Sequence, residues 1–459
     1  MVIFAVVAFI LLHRNKHNLK RHGWIFLYHS KFGLKFIDWT AKTFEKILRP
    51  MQYLVIASGY ILMIGIIWIM GLSVWRYISA EIPAELRNVP PIAPLIPYFP
   101  KLFGLESFFP PLYFTYFLVA LAIVAVSHEF AHGIFARLNN IKVKTTGLAF
   151  FGPFFGAFVE PDEKKMNERP KFQQLSILAA GTFANVVMTI LFLIILIGFF
   201  SVSFQAAGVK FNAYPQDVIN IDEITGINGN LIDNLEEADG FFIEGLNEVE
   251  IGDESYLAPE QTLNLALENE LEQMIVFENA PAIRERFEGP ILAINGERVL
   301  SPEELSATLA KYNPGDIVDI KTVDDNRNVE IKSMELGEKE GRAYLGVGFI
   351  KGQGDGLGGL ILSLISSVRD PLVYYEPVVD GDFVQFIYDL LWWIVMINIL
   401  VALFNMLPVS ILDGGRFFYL TIWGITKSEK AGRRAFQIAT WFIVLLLVVM
   451  VIRWLFNFI

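Results

Sequence analysis

With 459 residues, 54% of them apolar, 40 Phe, 9 Trp and a mean hydropathy of +0.47, the sequence excludes an ordinary soluble domain and describes a polytopic membrane protein. The absence of cysteine excludes a disulfide framework and a thiolate metal site, so a bound metal must draw on His, carboxylate, carbonyl or water. The net charge of −11 hides a division, because residues 206–355 hold 31 acidic against 11 basic groups, a net −20 that leaves +9 elsewhere; this predicts one acidic soluble insert between basic-flanked membrane segments, with no footprint for nucleic acid.

In chain order, Met1 to Leu12 is apolar but short, and Arg14, Lys16, Lys20 and Arg21 follow the run instead of preceding it. A cleaved signal peptide has the opposite polarity, so the run predicts an anchor helix with its N-terminus outside. From His13 to Arg49, nine Lys and Arg stand against Asp38 and Glu45, with Trp24, Phe26 and Tyr28 interleaved. That predicts a cytoplasmic loop lying partly on the membrane surface, and its irregularly spaced His13, His17, His22 and His29 read as interfacial residues instead of a metal site. Met51 to Trp75 is 25 residues without a charge, enough to cross a ~30 Å hydrocarbon core. Eight prolines between Glu81 and Pro111 then exclude a regular helix and predict an extended linker outside.

Leu112 begins a helix running inward, and sixteen residues at ~1.5 Å each put His128 about 24 Å down it, near the cytoplasmic side. There the sequence reads SHEFAHG. Residues four apart share a helix face, so His128 and His132 can offer two imidazoles to one metal while Glu129 faces the same water, the H-E-x-x-H pattern of zinc hydrolases. Two interfacial histidines beside a solvated Glu are the bland alternative; three polar residues on an apolar helix are costly in lipid and argue for function.

Lys142 to Glu160 mixes Gly147, Gly152, Pro153 and Gly156 with five Phe, too broken to span. It predicts a hairpin-like re-entrant segment beside the site, the alternative being an interfacial loop with an aromatic belt. Phe172 to Val209 carries no charge and returns outside, with Gly181, Ala184 and Asn185 in its middle; small residues allow close helix approach, and the Asn amide is either glue or a substrate contact. In the insert, GPILAINGERVLSPEELSATLAKYNPGDIVDIKTV predicts a strand, an Asn-Gly turn, a helix capped at Ser301, a Pro-Gly turn and a strand, resembling half of a PDZ domain over about 270–350. ITGING at Ile224 echoes ILAING at Ile291, leaving open one interrupted unit or two. Phe383 to Leu407 is the next span, marred only by Asp389, followed by FNMLPVSILDGGR; Lys427, Lys430, Arg433 and Arg434 then mark the cytoplasmic side before Ala435 to Ile452 exits.

A tetrahedral zinc with one open position needs a third protein ligand, and with the other histidines confined to the first loop this must be a carboxylate. Asp413 follows Pro408, which frees local backbone, and precedes Gly414 and Gly415, which permit close approach. Asp389 competes, but it lies toward the outer end of its span while the His pair lies toward the inner end.

Taken together, H-E-F-A-H at His128, G-T-F-A-N at Gly181 to Asn185 and N-M-L-P-V-S-I-L-D-G-G at Asn405 to Gly415 resemble the site-2 protease family of intramembrane zinc metalloproteases. The resemblance covers roughly Leu112 to Thr426, and implies that His128, His132 and Asp413 are zinc ligands, Glu129 the acid/base, and Asn185 and Asn405 holders of substrate backbone. It also implies a membrane-embedded β element at Thr145 to Glu160. The expected fold is therefore a polytopic α-helical membrane protein of about six transmembrane helices, with both termini outside and an inserted β-rich, PDZ-like extracytoplasmic domain. Its expected parts are two N-terminal helices with loop and linker (1–110), a first core half (111–205), the acidic insert (206–355) and a second core half (356–459). The expected function is regulated intramembrane proteolysis in the cell membrane, with the active site toward the cytoplasm and with single-span membrane proteins and the lipid bilayer as partners. A zinc protease of another plan would take its third ligand from a later E-x-x-x-D, which is missing at comparable depth, and a non-catalytic PDZ-containing scaffold would have no use for a full ligand set plus a base.

Overall fold

The computed structural model describes residues 19–22, 25–79, 95–105, 109–151, 154–269, 271–324, 328–350, 356–379 and 381–456. It falls into two compact units. The first contains a hairpin of β1 (Leu19–His22) and β2 (Ile25–Ser30), then helices α1 (Leu34–Thr43), α2 (Glu45–Ser79) and α3 (Phe114–Leu138). A second hairpin, β3 (Val143–Phe151) with β4 (Phe154–Pro161), leads to α4 (Lys171–Ser203), and after the other unit come α5 (Asp382–Asn405), α6 (Asp413–Thr426) and α7 (Glu429–Leu455).

Among the described residues five helices, α2, α3, α4, α5 and α7, are long and apolar enough to cross a membrane. Helices α2 and α7 extend the uncharged runs read from the sequence by a turn or more, α3 and α5 match theirs to within two residues at the start of one and the end of the other, and the run Phe172 to Val209 is helix only to Ser203, its last six residues forming a strand. The sixth expected span, Met1–Leu12, and most of the proline-rich linker lie outside the described residues. The helices share one core in which Val55 and Ile66 of α2, Ala179 and Ala180 of α4, Leu403 of α5 and Phe417 and Leu420 of α6 pack together. Helix α5 buries two thirds of its apolar window (67%) and α7 only 11%, so α5 is the inner helix and α7 an outer one.

The broken, Phe-rich segment at 142–160 is a paired hairpin, with Thr146 opposite Val159 and Leu148 opposite Ala157, and not an interfacial loop. Its partner comes from the basic N-terminal stretch, whose described residues form strands and helix in place of the expected loop: β2 pairs with β3 antiparallel from Phe26↔Phe150 to Ser30↔Thr146, giving a sheet of order β1-β2-β3-β4. Gly147 marks the crossing point. Any Cβ there would run into the Tyr28 carbonyl and stand 2.5 Å from the Phe158 ring.

The second unit takes in Val202–Gln353 and also Leu364–Val378, whose strand Val373–Pro377 pairs with Phe204–Val209. It contains two larger sheets with separate cores, one around Ile227, Val249 and Leu263 and one around Phe287, Ile294 and Ile320. The sequence echo has a structural counterpart in each. Asn228-Gly229 (φ 52° and 77°) and Asn295-Gly296 (φ 48° and 81°) both turn with two left-handed residues, the signature of a type I′ hairpin. A cap follows each: the Asn234 side chain accepts from the Glu237 N–H, and Ser301 Oγ from the Glu304 N–H. The question of one interrupted unit or two therefore resolves into two hairpin–cap modules, each with its own core.

Candidate metal centre

Helix α3 places His128 and His132 one turn apart, with their Nε2 atoms 3.0 Å from each other. Asp413, the first residue of α6, brings its Oδ2 to 3.1 Å from His128 Nε2 and 3.3 Å from His132 Nε2. Three ligand atoms thus form a triangle of 3.0–3.3 Å edges, close to the ~3.3 Å that separates N and O ligands around a tetrahedral zinc with bonds of ~2.0–2.2 Å.

The second nitrogen of each ring fixes which lone pair points inward. His132 Nδ1 lies 2.7 Å from the Ile177 carbonyl, which can only accept, so Nδ1 carries the proton and Nε2 is a free lone pair. The fully buried amide of Asn185 bridges His128 Nδ1 at 3.1 Å and Ser127 Oγ at 3.4 Å. Ser127 Oγ also lies 2.8 Å from the Ile123 carbonyl and 3.1 Å from the Val124 carbonyl, so three acceptors share its one proton. Asn185 Nδ2 faces His128 Nδ1 and its Oδ1 faces Ser127; turned about so that its oxygen accepts from Nδ1–H, the tautomer a metal ligand needs, the amide leaves His128 Nε2 as a free lone pair. Two imidazole lone pairs and a carboxylate oxygen then converge with no proton between them, an arrangement that a cation satisfies. The residues fit a divalent metal.

Glycines allow this convergence. Ile177, Gly181 and Asn185 fall at four-residue steps on one face of α4, and a Cβ on Gly181 would stand 2.6 Å from His128 Nε2 and closer still to His132 Nε2. At the start of α6, a Cβ on Gly414 would meet the Leu407 carbonyl at 2.5 Å, and one on Gly415 the Val409 carbonyl carbon at 2.8 Å. Between α5 and α6 the Pro408 carbonyl accepts from Thr440 Oγ1 of α7 at 3.1 Å, so the backbone freed by the proline is held.

Residues 116–451 match the sequence profile of peptidase family M50, a range that contains every one of these groups. The chain belongs to peptidase family M50. Members of M50 are membrane metalloproteases of the site-2 protease kind. An uncharacterized protein of Methanocaldococcus jannaschii is 31% identical over 196 residues, which is 41% of this chain and 48% of that protein, so the chain spans about half the length of this relative. Elements β1, β2, α1 and α2 precede the M50 match.

The remaining M50 candidates divide as follows. Glu129 is outside the ligand triangle and accepts the backbone N–H of Val159, on β4, at 2.8 Å from its Oε2. Asp389 is buried on α5, accepts from Gln385 Nε2 at 2.8 Å, and is not part of the group with the two histidines. Asn405 is the last residue of α5, half-buried, one position before the turn that Gly414 packs against. Asn185 has no exposed surface, and its amide lies against His128 Nδ1 and Ser127 Oγ, an arrangement suited to orienting the His128 ring. Two contributors were invisible in the sequence, the Val159 N–H and the Ile177 carbonyl, because every residue type has the same backbone groups. A third, the buried set in which Gln52 Oε1 accepts from Asn139 Nδ2 and Ser176 Oγ at 3.0 Å each, ties α2 to both site helices; three amide and hydroxyl residues on apolar helices were its only signal.

Proposed function

We propose that this protein is a zinc metalloprotease that hydrolyses peptide bonds within or near transmembrane segments of membrane-protein substrates, serving regulated intramembrane proteolysis in the cell membrane with its active site toward the cytoplasm. The observation that carries this reading is the triangle of His128, His132 and Asp413, with edges of 3.0–3.3 Å, and Glu129 beside it on the helix of the two histidines. Zinc held by these three residues supplies Lewis acidity toward a peptide carbonyl and toward water at neutral pH. Glu129 takes the proton of the attacking water and returns it to the departing amine nitrogen, and its hydrogen bond to Val159 fixes the carboxylate while it does so. Asn185 and the Ile177 carbonyl keep both imidazoles facing inward. A substrate helix hides its carbonyls in its own hydrogen bonds, so the cleaved stretch must be extended. Strand β4, with β3 on one side only, offers the other edge for an added strand. Asn405 is the residue that would hold the backbone of that strand, on the resemblance to the site-2 protease family. A cavity of about 200 Å³ lined by Leu305, Leu309, Leu345 and Val347 supports a PDZ-like, peptide-binding role for the 270–350 module.

The test is cleavage of a panel of single-span substrates by the purified protein, with and without a zinc chelator, alongside Glu129→Gln. Chelation should stop cleavage, and added zinc should restore it. Glu129→Gln should fall below about one percent of the parent rate while zinc stays near one per chain, since a general base is not a ligand. Chelator-resistant cleavage, or substantial turnover by the Gln variant, would overturn the proposal.

A further inference from the structure

Helix α1 presents a face that the metal centre does not use. Its inner side packs on the turn of α3 that holds the site. Ile37 is fully buried, and its Cδ1 would stand 2.9 Å from a Cβ on Gly133, the residue after His132. Asp38 Oδ2 accepts from Arg137 Nη2 at 3.0 Å. The ring of Phe130, the residue after Glu129, lies over Gly33 at the start of α1 and 6.0 Å from the Phe36 ring. The outer side is aromatic and cationic: Phe32 is 83% exposed, Trp39 55%, Phe36 51% and Phe44 40%. Lys31, Lys35, Lys42 and Lys46 are exposed among them and make no ion pair among the described residues. The two acids nearby are both committed, Asp38 to Arg137 and Glu45 to Arg49 at 2.7 Å.

Bare rings and free lysines with no free acid between them match one surface above others, an anionic bilayer: the rings enter the boundary between headgroups and acyl chains, and the ammonium groups meet lipid phosphates. Continuity along the chain agrees, because α1 ends at Thr43 and α2, long and apolar enough to cross a membrane, starts at Glu45. We propose that α1 and the residues flanking it bind anionic lipid through Lys31, Lys35, Lys42 and Lys46 with Phe32, Phe36 and Trp39. Docking there fixes the α3 turn carrying His128, Glu129 and His132, so that the metal centre depends on the lipid around it. The regulated activity in this statement rests on the protease reading above; the lipid site and its link to the metal ligands do not.

The test uses the full chain in nanodiscs of phosphatidylcholine alone or mixed with phosphatidylglycerol. Because the native chain has no cysteine, Phe32→Cys accepts a single environment-sensitive dye. Its emission should shift to the blue only with phosphatidylglycerol, and the shift should vanish when the four lysines are replaced by Gln, survive replacement by Arg, and fade in 1 M salt, where screening acts over ~3 Å. The visible absorption of cobalt-substituted protein should change with phosphatidylglycerol in the parent and not in the four-Gln variant. Cleavage should rise at least about fivefold in the parent alone. A dye that ignores the lipid, or a four-Gln variant that still responds, overturns the lipid site and leaves this face to a protein partner. A dye response without a cobalt response overturns the coupling. Intact dye and cobalt responses with no cleavage in any disc would support the lipid coupling and strike the protease reading instead.

Discussion

Asp413 and Asp389 are both acids of the second core half, yet only Asp413 stands within 3.3 Å of both imidazoles. Asp413→Ala should therefore purify folded, largely zinc-free and inactive, while Asp389→Ala keeps its zinc; metal analysis of the two proteins decides it, and zinc retained by Asp413→Ala but lost from Asp389→Ala would refute the site as drawn. Asn185→Ala is a subtler case, because it removes no ligand. Without the amide, His128 loses the partner that fixes its ring, so zinc affinity should fall by roughly 10- to 100-fold, read by competition with a chelator, and Asn185→Ala binding zinc like the parent would remove Asn185 from the centre. At this scale the sequence was informative where spacing carries the chemistry. His128 and His132 follow from a four-residue interval on a helix, and Asp413 from depth and its glycines. The contact of Asn185 with His128 was not legible, because which side-chain atom an amide meets depends on how two helices pack.

In the function proposed above, strand β4 is the element on which catalysis and substrate docking would meet. Successive residues of a strand direct their N–H groups to alternate sides, so Ala157 and Val159 both aim away from β3, and Val159 already donates to Glu129. Proline is tolerated at such an edge, where it deletes one donor. Val159→Pro should lower kcat by roughly tenfold or more by releasing the Glu129 carboxylate, whereas Ala157→Pro should mainly raise KM by removing a docking N–H. Steady-state kinetics on one substrate separates the two, and equal effects on both parameters in both variants would sever β4 from its double role. The five long apolar helices of this unit were legible because a run of about 17 or more apolar residues with few or no charges has few other uses. The pairing of β2 with β3 was not, since LKRH and IFLYHS have neither clean alternation nor a turn signature, and their strand character comes from a partner more than a hundred residues away.

For the whole molecule, charge sets the expected orientation. Single cysteines at Asn230, exposed in the acidic unit, and at Lys430, exposed at the start of α7, can be labelled without background in a chain that has none of its own. Asn230→Cys should react with an impermeant reagent added outside and Lys430→Cys only after permeabilisation, and the reverse pattern would invert the topology. The two hairpin–cap modules of that unit were half visible in the repeated I-N-G, but a shared local motif does not reveal that each has its own core. The join of β2 to β3 also bears on how the protein is made. Ser30 leaves the ribosome more than a hundred residues before its partner Thr146, so the first hairpin must wait, its edge unsatisfied, while two membrane-crossing helices are placed. A chain that started after Ser30 would complete β3 and β4 sooner, but with both sides of the hairpin bare, and two such hairpins from neighbouring molecules could zip together where the first strands should lie.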